Sequence, residues 1–461
     1  MQPTTRLMHS ATQHLNSGAV PSRPMNLLVT NTQEEQAYLI LRCLRHEAKR
    51  IVITVPEGSV FSRWSGISAW SRHVSRRYTV PDCTAEWRAG RIRAENTPAE
   101  EHYMQRIEEI CVREQIDVIF PSYDAEVMVF AKNRARLAEQ GILAIVPDYK
   151  PLARIIDKAR TLEAARAVGF PTPASCIPEN EAELLDAAGR LNPPWVLKPR
   201  CNAHGANIHR LEDVESLRTA FAELAAIQPR PLLQECVPVG TKRNYYLMVT
   251  PDFEVVSVHS PQIHRHRVIG VRTPCAVAET TDEVPLLDEV KALVRELGVW
   301  GAMTVQTIVS QHDGVPRLME INPRFGHNLW YRTEFGVNEP LIYLRMVEGK
   351  PLPEIPRWPA GVLLLDPLWD LLQLYLLAVD RAGVWLRRRL GRNGGNIPGQ
   401  SGESVRDLMR TLKSEYFGPS ARVTNPLNRG LLSDPLPPLV RIGRTVLFEW
   451  NRRRAVKRER K

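Results

Sequence analysis

The sequence predicts a parallel α/β layer, then an α+β region built on antiparallel sheet, then a mainly helical, basic C-terminal extension. Between Met25 and Val146 short apolar runs alternate with helix-like segments, the pattern of a parallel sheet with covered faces. After Pro173 the strand candidates are joined by turn residues, Pro251-Asp252 and Asp313-Gly314 among them. Beyond Pro359 apolar residues recur at helical spacing and the chain ends in a basic run. The 461 residues suffice for about three domains, and 43% hydrophobic with 24% charged residues excludes a disordered or collagen-like chain. Seven cysteines (Cys43, Cys83, Cys111, Cys176, Cys201, Cys236, Cys275) stand far apart without a CxxC pair. That scatter suits a reduced compartment, by default the cytoplasm, better than a disulfide framework or a zinc site.

Residues 1–24 carry no apolar run of the roughly 7–15 residues a secretory signal needs, and they read as a disordered arm. Residues 25–150 form the first domain. Asn26–Thr30 and Arg50–Val55 are strands with a helix over Glu34–His46 between them. A helix around His102–Glu114 leads to a strand at Asp117–Pro121, and another from Asp124 leads to Leu143–Val146. This is a Rossmann-like layer, but Asn31-Thr-Gln-Glu-Glu after the first strand has no glycine, so a dinucleotide cofactor is not expected there. Residues 151–355 form the second domain. Pro151–Gly169 reads as one helix, stopped by Pro171 and Pro173. Trp195–Lys198, Leu232–Gln234, Tyr245–Val249, Val255–His259 and Met303–Val309 read as strands, and Asp213–Ala226 and Leu286–Leu297 as helices.

Residues 356–461 form the extension. Val362–Val379 is apolar but interrupted by Asp366, Pro367 and Asp370, too broken for the ~20 apolar residues of a spanning helix. With Trp369, Leu372, Leu376 and Val379 on one face it reads as a core-packing helix. The alternative is an amphipathic helix on a membrane surface, continuing through Trp385-Leu-Arg-Arg-Arg. Arg441–Lys461 holds nine Lys/Arg against Glu449 and Glu459, a surplus of seven within a net charge of +10. The body of the protein is therefore close to neutral, and its basic character is no argument for nucleic acid. The tail is either solvated or a contact for acidic lipid, RNA or a protein partner, which would put the chain at the inner face of the membrane.

The residues with chemistry lie between Val305 and Asn338. Gln306 sits in a strand (MTVQTIV), a turn follows at His312-Asp-Gly, and a second strand ends in Leu318-Met-Glu-Ile-Asn-Pro-Arg. Such a hairpin brings Gln306 beside Glu320 and Asn322, and alternation puts Glu320, Asn322 and Arg324 on one side. One carboxylate and two amide oxygens suit Mg²⁺, a hard cation held by a few protein groups plus substrate phosphates. Arg324 could stabilise charge on a phosphate or acyl phosphate. Glu320 and Arg324 would also suit a surface ion pair, but the apolar setting of Leu318–Ile321 asks for a cation near the carboxylate. Upstream, Asp157-Lys158 opens a helix, and Trp195-Val-Leu-Lys198-Pro-Arg ends a strand with a lysine; two lysines can grip nucleotide phosphates as point charges. Leu232-Leu-Gln234-Glu235-Cys236-Val237 is an extended segment able to offer backbone groups to an adenine edge.

In this order the pieces resemble the ATP-grasp superfamily, in particular the branch of carbamoyl phosphate synthetase and biotin carboxylase, over about Met25 to Lys350. The resemblance implies a pre-ATP-grasp domain followed by an ATP-grasp domain. ATP would bind with Lys158 and Lys198 on its phosphates and Gln234, Glu235, Cys236 and Val237 near the adenine. Gln306, Glu320 and Asn322 would bind Mg²⁺ (or Mn²⁺), and Arg324 and Lys198 would act in catalysis. It implies an ADP-forming ligase that joins a carboxylate to an amine through an acyl phosphate. Two departures stand out. The lid loop, glycine-rich in the family, is Cys201-Asn-Ala-His204-Gly205-Ala-Asn207 with one glycine, so His204, Gly205 or Asn207 would meet the phosphates. Where an acidic residue is common after Gly240, this chain has Lys242 and Arg243. Pro261-Gln-Ile-His264-Arg265-His266-Arg267 and Arg272 would suit an anionic acceptor. A phosphotransferase that stops at the phosphorylated acceptor is the alternative enzyme. A nucleotide-responsive protein without turnover, using its basic tail on membrane or RNA, is the alternative from another class.

Overall fold

The structure is a computed structural model that describes residues 24–31, 35–57, 66–201, 207–266, 275–367, 405–425 and 434–440, with isolated positions between 370 and 443. The chain divides into two compact units, Met1–Ser260 with Glu283–Arg357, and Pro261–Asp282 with Trp358–Lys461.

The first unit opens on a five-stranded sheet of β1 (Met25–Val29), β2 (Ala48–Pro56), β3 (Arg76–Val80), β4 (Val118–Phe120) and β5 (Leu143–Ala144) in the order β3-β2-β1-β4-β5. Every pairing is parallel, which obliges the chain to cross over between neighbouring strands. The helix Pro98–Glu114 supplies one crossover. Thr97 caps it reciprocally with Glu100, Pro98 occupies its first turn, and Gln115 ends it in the left-handed region at φ 51°. Its buried face, Tyr103, Met104, Ile107 and Cys111, packs with Leu28, Val52, Ile119 and Phe130 into one core. β3 was not foreseen, because Arg76-Arg-Tyr-Thr carries no buried residue before Val80.

Pro151–Gly169 is not one helix. It breaks at Asp157 into Tyr149–Ile156 and Lys158–Ala167. Asp157 leaves helical geometry (φ −79°, ψ 104°) and its carboxylate accepts from the Ala159 N–H, so a capping residue inside a continuous apolar pattern restarts the helix. A four-stranded antiparallel sheet follows in the order β6-β9-β7-β8, made of β6 (Ser175–Cys176), β7 (Trp195–Lys198), β8 (His209–Leu211) and β9 (Leu232–Glu235). Helices Glu181–Leu191 and Val214–Ile227 bury Leu184, Leu217, Phe221 and Leu224 against Trp195, Leu197 and Leu233.

The remaining strands are β10 (Val239–Val249), β11 (Val255–His259), β12 (Gln262–His266), β13 (Cys275–Glu279), β14 (Gly301–Ser310), β15 (Pro316–Asn322), β16 (Leu363–Leu365) and β17 (Arg422–Thr424). In the first unit β15, β14, β10 and β11 pair antiparallel in that order. In the second, β13 lies between β12 and β16, antiparallel to both, and β17 runs parallel to β16. The start of Val362–Val379 is therefore a strand, not a helix. Leu363–Leu365 finds a ladder partner in Val277–Glu279, a long-range pairing that local helical spacing cannot reveal. Asp366 accepts from the Asn425 amide at 2.9 Å and Asp370 from the Tyr416 hydroxyl at 2.6 Å, which accounts for two of the carboxylates that interrupt the apolar run. Trp369, Leu372, Leu376 and Val379 lie outside the described residues, as does nearly all of the basic tail. Among the described residues no helix is long and apolar enough to cross a membrane. Cys43, Cys83, Cys111, Cys176, Cys201 and Cys236 are free.

Candidate active site

The nucleotide- and metal-binding residues read from the sequence and described in the structure belong to the first unit, whereas the segment from Pro261, read as suiting an anionic acceptor, belongs to the second. The ribbon β14–β15 sets Gln306 directly opposite Glu320 and Thr304 opposite Asn322. Directly paired residues share a face, and Glu320 and Asn322 are two apart, so the three oxygen-bearing side chains project from one side. The Asn322 amide approaches Glu320 at 3.4 Å. A register shift between Gln306 and Thr307 shows why a spacing of fourteen residues still closes the pair. Across the ribbon β10 adds Asn244, which pairs with Gln306. Asn244 was not singled out in the sequence, since a lone Asn among Lys242, Arg243 and two tyrosines carries no local signal.

Two lysines converge on Glu320. Lys158, at the start of the second helix of the broken pair, places its Nζ 3.7 Å from Oε2, and its side chain is only 7% exposed. Lys198, at the end of β7, is 2% exposed and donates to Gln234 Oε1 at 3.0 Å. Burial, and then the charge of Lys158, push the Lys198 ammonium down to about 7, while Glu320 works in the opposite sense. Burial also works against a charged Glu320, but Lys158 and Lys198 outweigh it, and its carboxyl titrates below the usual range. The Gln234 Nε2, buried beside Lys198, has no hydrogen-bond partner.

The strand ends at Asn322, so alternation does not place Arg324. Its guanidinium instead pairs with Asp124 at 2.9 Å, at the first turn of the helix that follows β4, and donates to Phe325 O. It still lies near enough to help hold Glu320 ionised. Arg243 alternates to the other face from Asn244, and its guanidinium bonds the Ser260 and Glu283 carbonyls. It is committed to the fold, whereas Lys242 shares the face of Asn244.

β9 runs away from Lys198. Leu232 pairs with Lys198 and Glu235 with Trp195, which separates Glu235 from the lysine by about 10 Å at the rise of a strand. The Glu235 carboxylate accepts from Ala174 N at 3.0 Å and its own N–H donates to Ala174 O. The Cys236 N–H donates to Pro194 O, and Val237 is buried. His204 and Gly205 lie outside the described residues. Among the described residues no cluster of three or more His, Cys, Asp or Glu could hold a metal, so a cation here would rest on Glu320 with the amide oxygens.

Residues 155–327, which span both lysines, β9 and the ribbon, match the family model of an ATP-grasp domain. The chain carries an ATP-grasp domain. Among curated proteins it is 21% identical over 229 residues to the C-terminal section of the carbamoyl phosphate synthase large chain of Methanopyrus kandleri, matching 48% of this chain and 42% of that one. It is 23% identical over 178 residues to the D-alanine–D-alanine ligase of Pseudomonas fluorescens, matching 37% and 54%. The chain thus covers about half or less of these relatives. Among solved structures, an ADP complex of N5-carboxyaminoimidazole ribonucleotide synthetase matches 86% of this chain and 98% of its own, with a TM-score of 0.57 at 13% identity. The biotin carboxylase domain of the Hydrogenobacter thermophilus 2-oxoglutarate carboxylase, solved with MgADP and bicarbonate, matches 72% of each chain with a TM-score of 0.54 at 19% identity. At these identities the structural likeness speaks for the fold alone.

Proposed function

We propose that the protein is an ADP-forming ligase that joins a small-molecule carboxylate to an amine through an acyl phosphate. The observation that carries this is the convergence of two buried lysines, Lys158 and Lys198, on a half-exposed Glu320 beside Gln306 and Asn322. The site suits a polyanion with a divalent cation. Two ammonium groups face Glu320, Arg324 lies nearby in its pair with Asp124, and the buried Gln234 amide has an N–H to give. Lys158 and Lys198 would meet the triphosphate. The adenine would lie toward Val237, some 10 Å along β9, and because the N–H groups of Glu235 and Cys236 are already taken, Val237 and the segment's carbonyls carry its recognition. Glu320, Gln306 and Asn322 would hold Mg²⁺ or Mn²⁺, whose charge would offset that of the phosphate oxygens.

The substrate carboxylate oxygen attacks the γ-phosphorus and ADP leaves. The amine nitrogen then attacks the acyl carbon, and inorganic phosphate departs. The chain's part is positioning and charge neutralisation by Lys158, Lys198 and Arg324. D-alanine–D-alanine ligase among the relatives favours this chemistry, and an L-amino acid ligase from Bacillus licheniformis shares the fold (TM-score 0.52, 16% identity). The N-terminal parallel layer is read as a Rossmann-like pre-ATP-grasp domain, the location as cytoplasmic, and the basic tail as a contact for an acidic surface. The test is a screen of amino acids and hydroxy or sugar acids for Mg-ATP-dependent ADP release, each hit then paired with candidate amines. Release that needs both partners supports the ligase. A stable phosphorylated acid formed without any amine would make it a phosphotransferase, and no ADP from any pair would refute both.

A further inference from the structure

Lys158 and Lys198 come from a helix and a strand forty residues apart in the chain, and both are nearly buried. Their charges repel, and after burial the charge of Lys158 is what pushes the Lys198 ammonium down. Left to themselves, two ammonium groups in such a setting drift apart toward water. The residue before one lysine and the residue two after the other prevent this. Asp157 accepts from Arg200 Nε at 3.0 Å on one oxygen and from an Arg200 terminal nitrogen on the other, a two-pronged pair. The Lys158 N–H also donates to the Arg200 carbonyl at 3.0 Å. Asp157 is 9% exposed in its side chain, and the same carboxylate caps the helix that begins at Lys158. One acidic side chain thus ties the start of that helix to the end of β7.

We propose that the Asp157–Arg200 ion pair is the positioning device that sets Lys158 and Lys198 side by side for the triphosphate. It rests on the reading of these lysines as phosphate-binding groups. Arginine is required because its planar fork meets both carboxylate oxygens at once, which fixes the angle between helix and strand as well as their distance; a lysine would hold only a point. The next residue is held too. Gln228 accepts from the Cys201 N–H at 3.0 Å and donates to Gly90 O at 2.6 Å, so the backbone beyond Arg200 has no freedom to compensate for loss of the pair. Neither Asp157 nor Arg200 needs to touch the nucleotide for this role.

The test measures ATP and adenosine affinity by calorimetry in the full chain, for Asp157→Asn, Arg200→Lys and the double variant. Asparagine keeps the helix cap and lysine keeps the charge, so both should fold. Should Asp157→Asn melt out regardless, the Arg200→Lys comparison decides by itself. The expected result is a loss of at least tenfold in ATP affinity for each single variant. Adenosine affinity should change less than twofold, and the double variant should bind ATP no worse than the weaker single. Unchanged ATP affinity in Arg200→Lys overturns the inference, as does an equal fall for adenosine and ATP, or losses that multiply in the double variant. A wild-type chain that binds no ATP overturns the ligase reading and takes this inference with it, whereas intact wild-type binding with unaffected variants removes the positioning role only.

Discussion

On the proposed function, Lys198 makes opposite demands on stability and on nucleotide binding, and the two can be measured in one protein. Its ammonium titrates at about 7 in the folded chain against an ordinary 10.5. Between these values the unfolded chain binds a proton that the folded chain does not, so stability rises with pH through that window. At about 1.36 kcal/mol per pH unit the full difference is roughly 4–5 kcal/mol, gained from pH 7 to above 10. Lys198→Met removes the titrating group. The wild type should therefore be less stable than the variant at pH 6–7 and gain on it as pH rises, in urea melts taken at half-unit intervals. ATP affinity should move the other way, falling as pH rises through 7 because the cation that meets the phosphates disappears. A stability difference that stays flat from pH 7 to 10 refutes the burial of a neutral lysine here. An ATP affinity that does not change across pH 7 refutes its role in binding.

Glu320→Ala should cut ADP formation by about 10²–10³, the usual cost of one charge-stabilising group, without lowering the melting temperature by more than a few degrees. Arg324→Ala should lower turnover and stability together, because it strands Asp124, whose side chain is 8% exposed, without its guanidinium. The Arg332–Glu339 pair, 2.6 Å apart with side chains 2% and 1% exposed, should behave as a structural unit. Arg332→Met should cost about 3–5 kcal/mol in a denaturant melt, and adding Glu339→Leu should recover part of it. Gly90→Ala should destabilise by about 1–3 kcal/mol for its left-handed backbone alone (φ 65°). The new methyl would sit 1.9 Å from Gln228 Nε2, so the variant should also weaken ATP binding by shifting Cys201.

The ribbon was legible in the sequence because its logic is local. A turn at Asp313-Gly314 and a period of two suffice to pair Gln306 with Glu320, and a one-residue bulge does not change which face they share. Alternation alone could not show how Arg324 is held, since the ladder ends at Asn322, two residues short of it, and its guanidinium is anchored by Asp124 while still lying near Glu320. The break at Asp157 was hidden because Pro151–Gly169 is apolar at helical spacing on both sides of it, and a capping aspartate and a surface aspartate look alike in one dimension. The grouping of Pro261–Asp282 with residues beyond Trp358 depends on a ladder between Val277 and Leu365, and nothing short-range announces such a partner. Asp124 and Arg200 escaped notice for the same reason. Each acts through a residue 43 or more positions away.

The arrangement of charge explains why these long-range ties are needed. Bringing the buried Lys158 and Lys198 close to one another and to Arg324, with Glu320 between them, leaves like charges together where those of the lysines are screened weakly. The fold bears that cost through pairs placed just outside the cluster, Asp157 with Arg200 and Asp124 with Arg324, rather than by adding acid inside it. A second carboxylate among the lysines would neutralise them and remove the attraction for phosphate. Set one residue before Lys158 or on the neighbouring helix, an aspartate steadies the cations without competing for the ligand. Preorganisation of this kind puts the electrostatic cost into folding, so that the polyanion proposed to bind here would meet groups already in place and need not reorganise them.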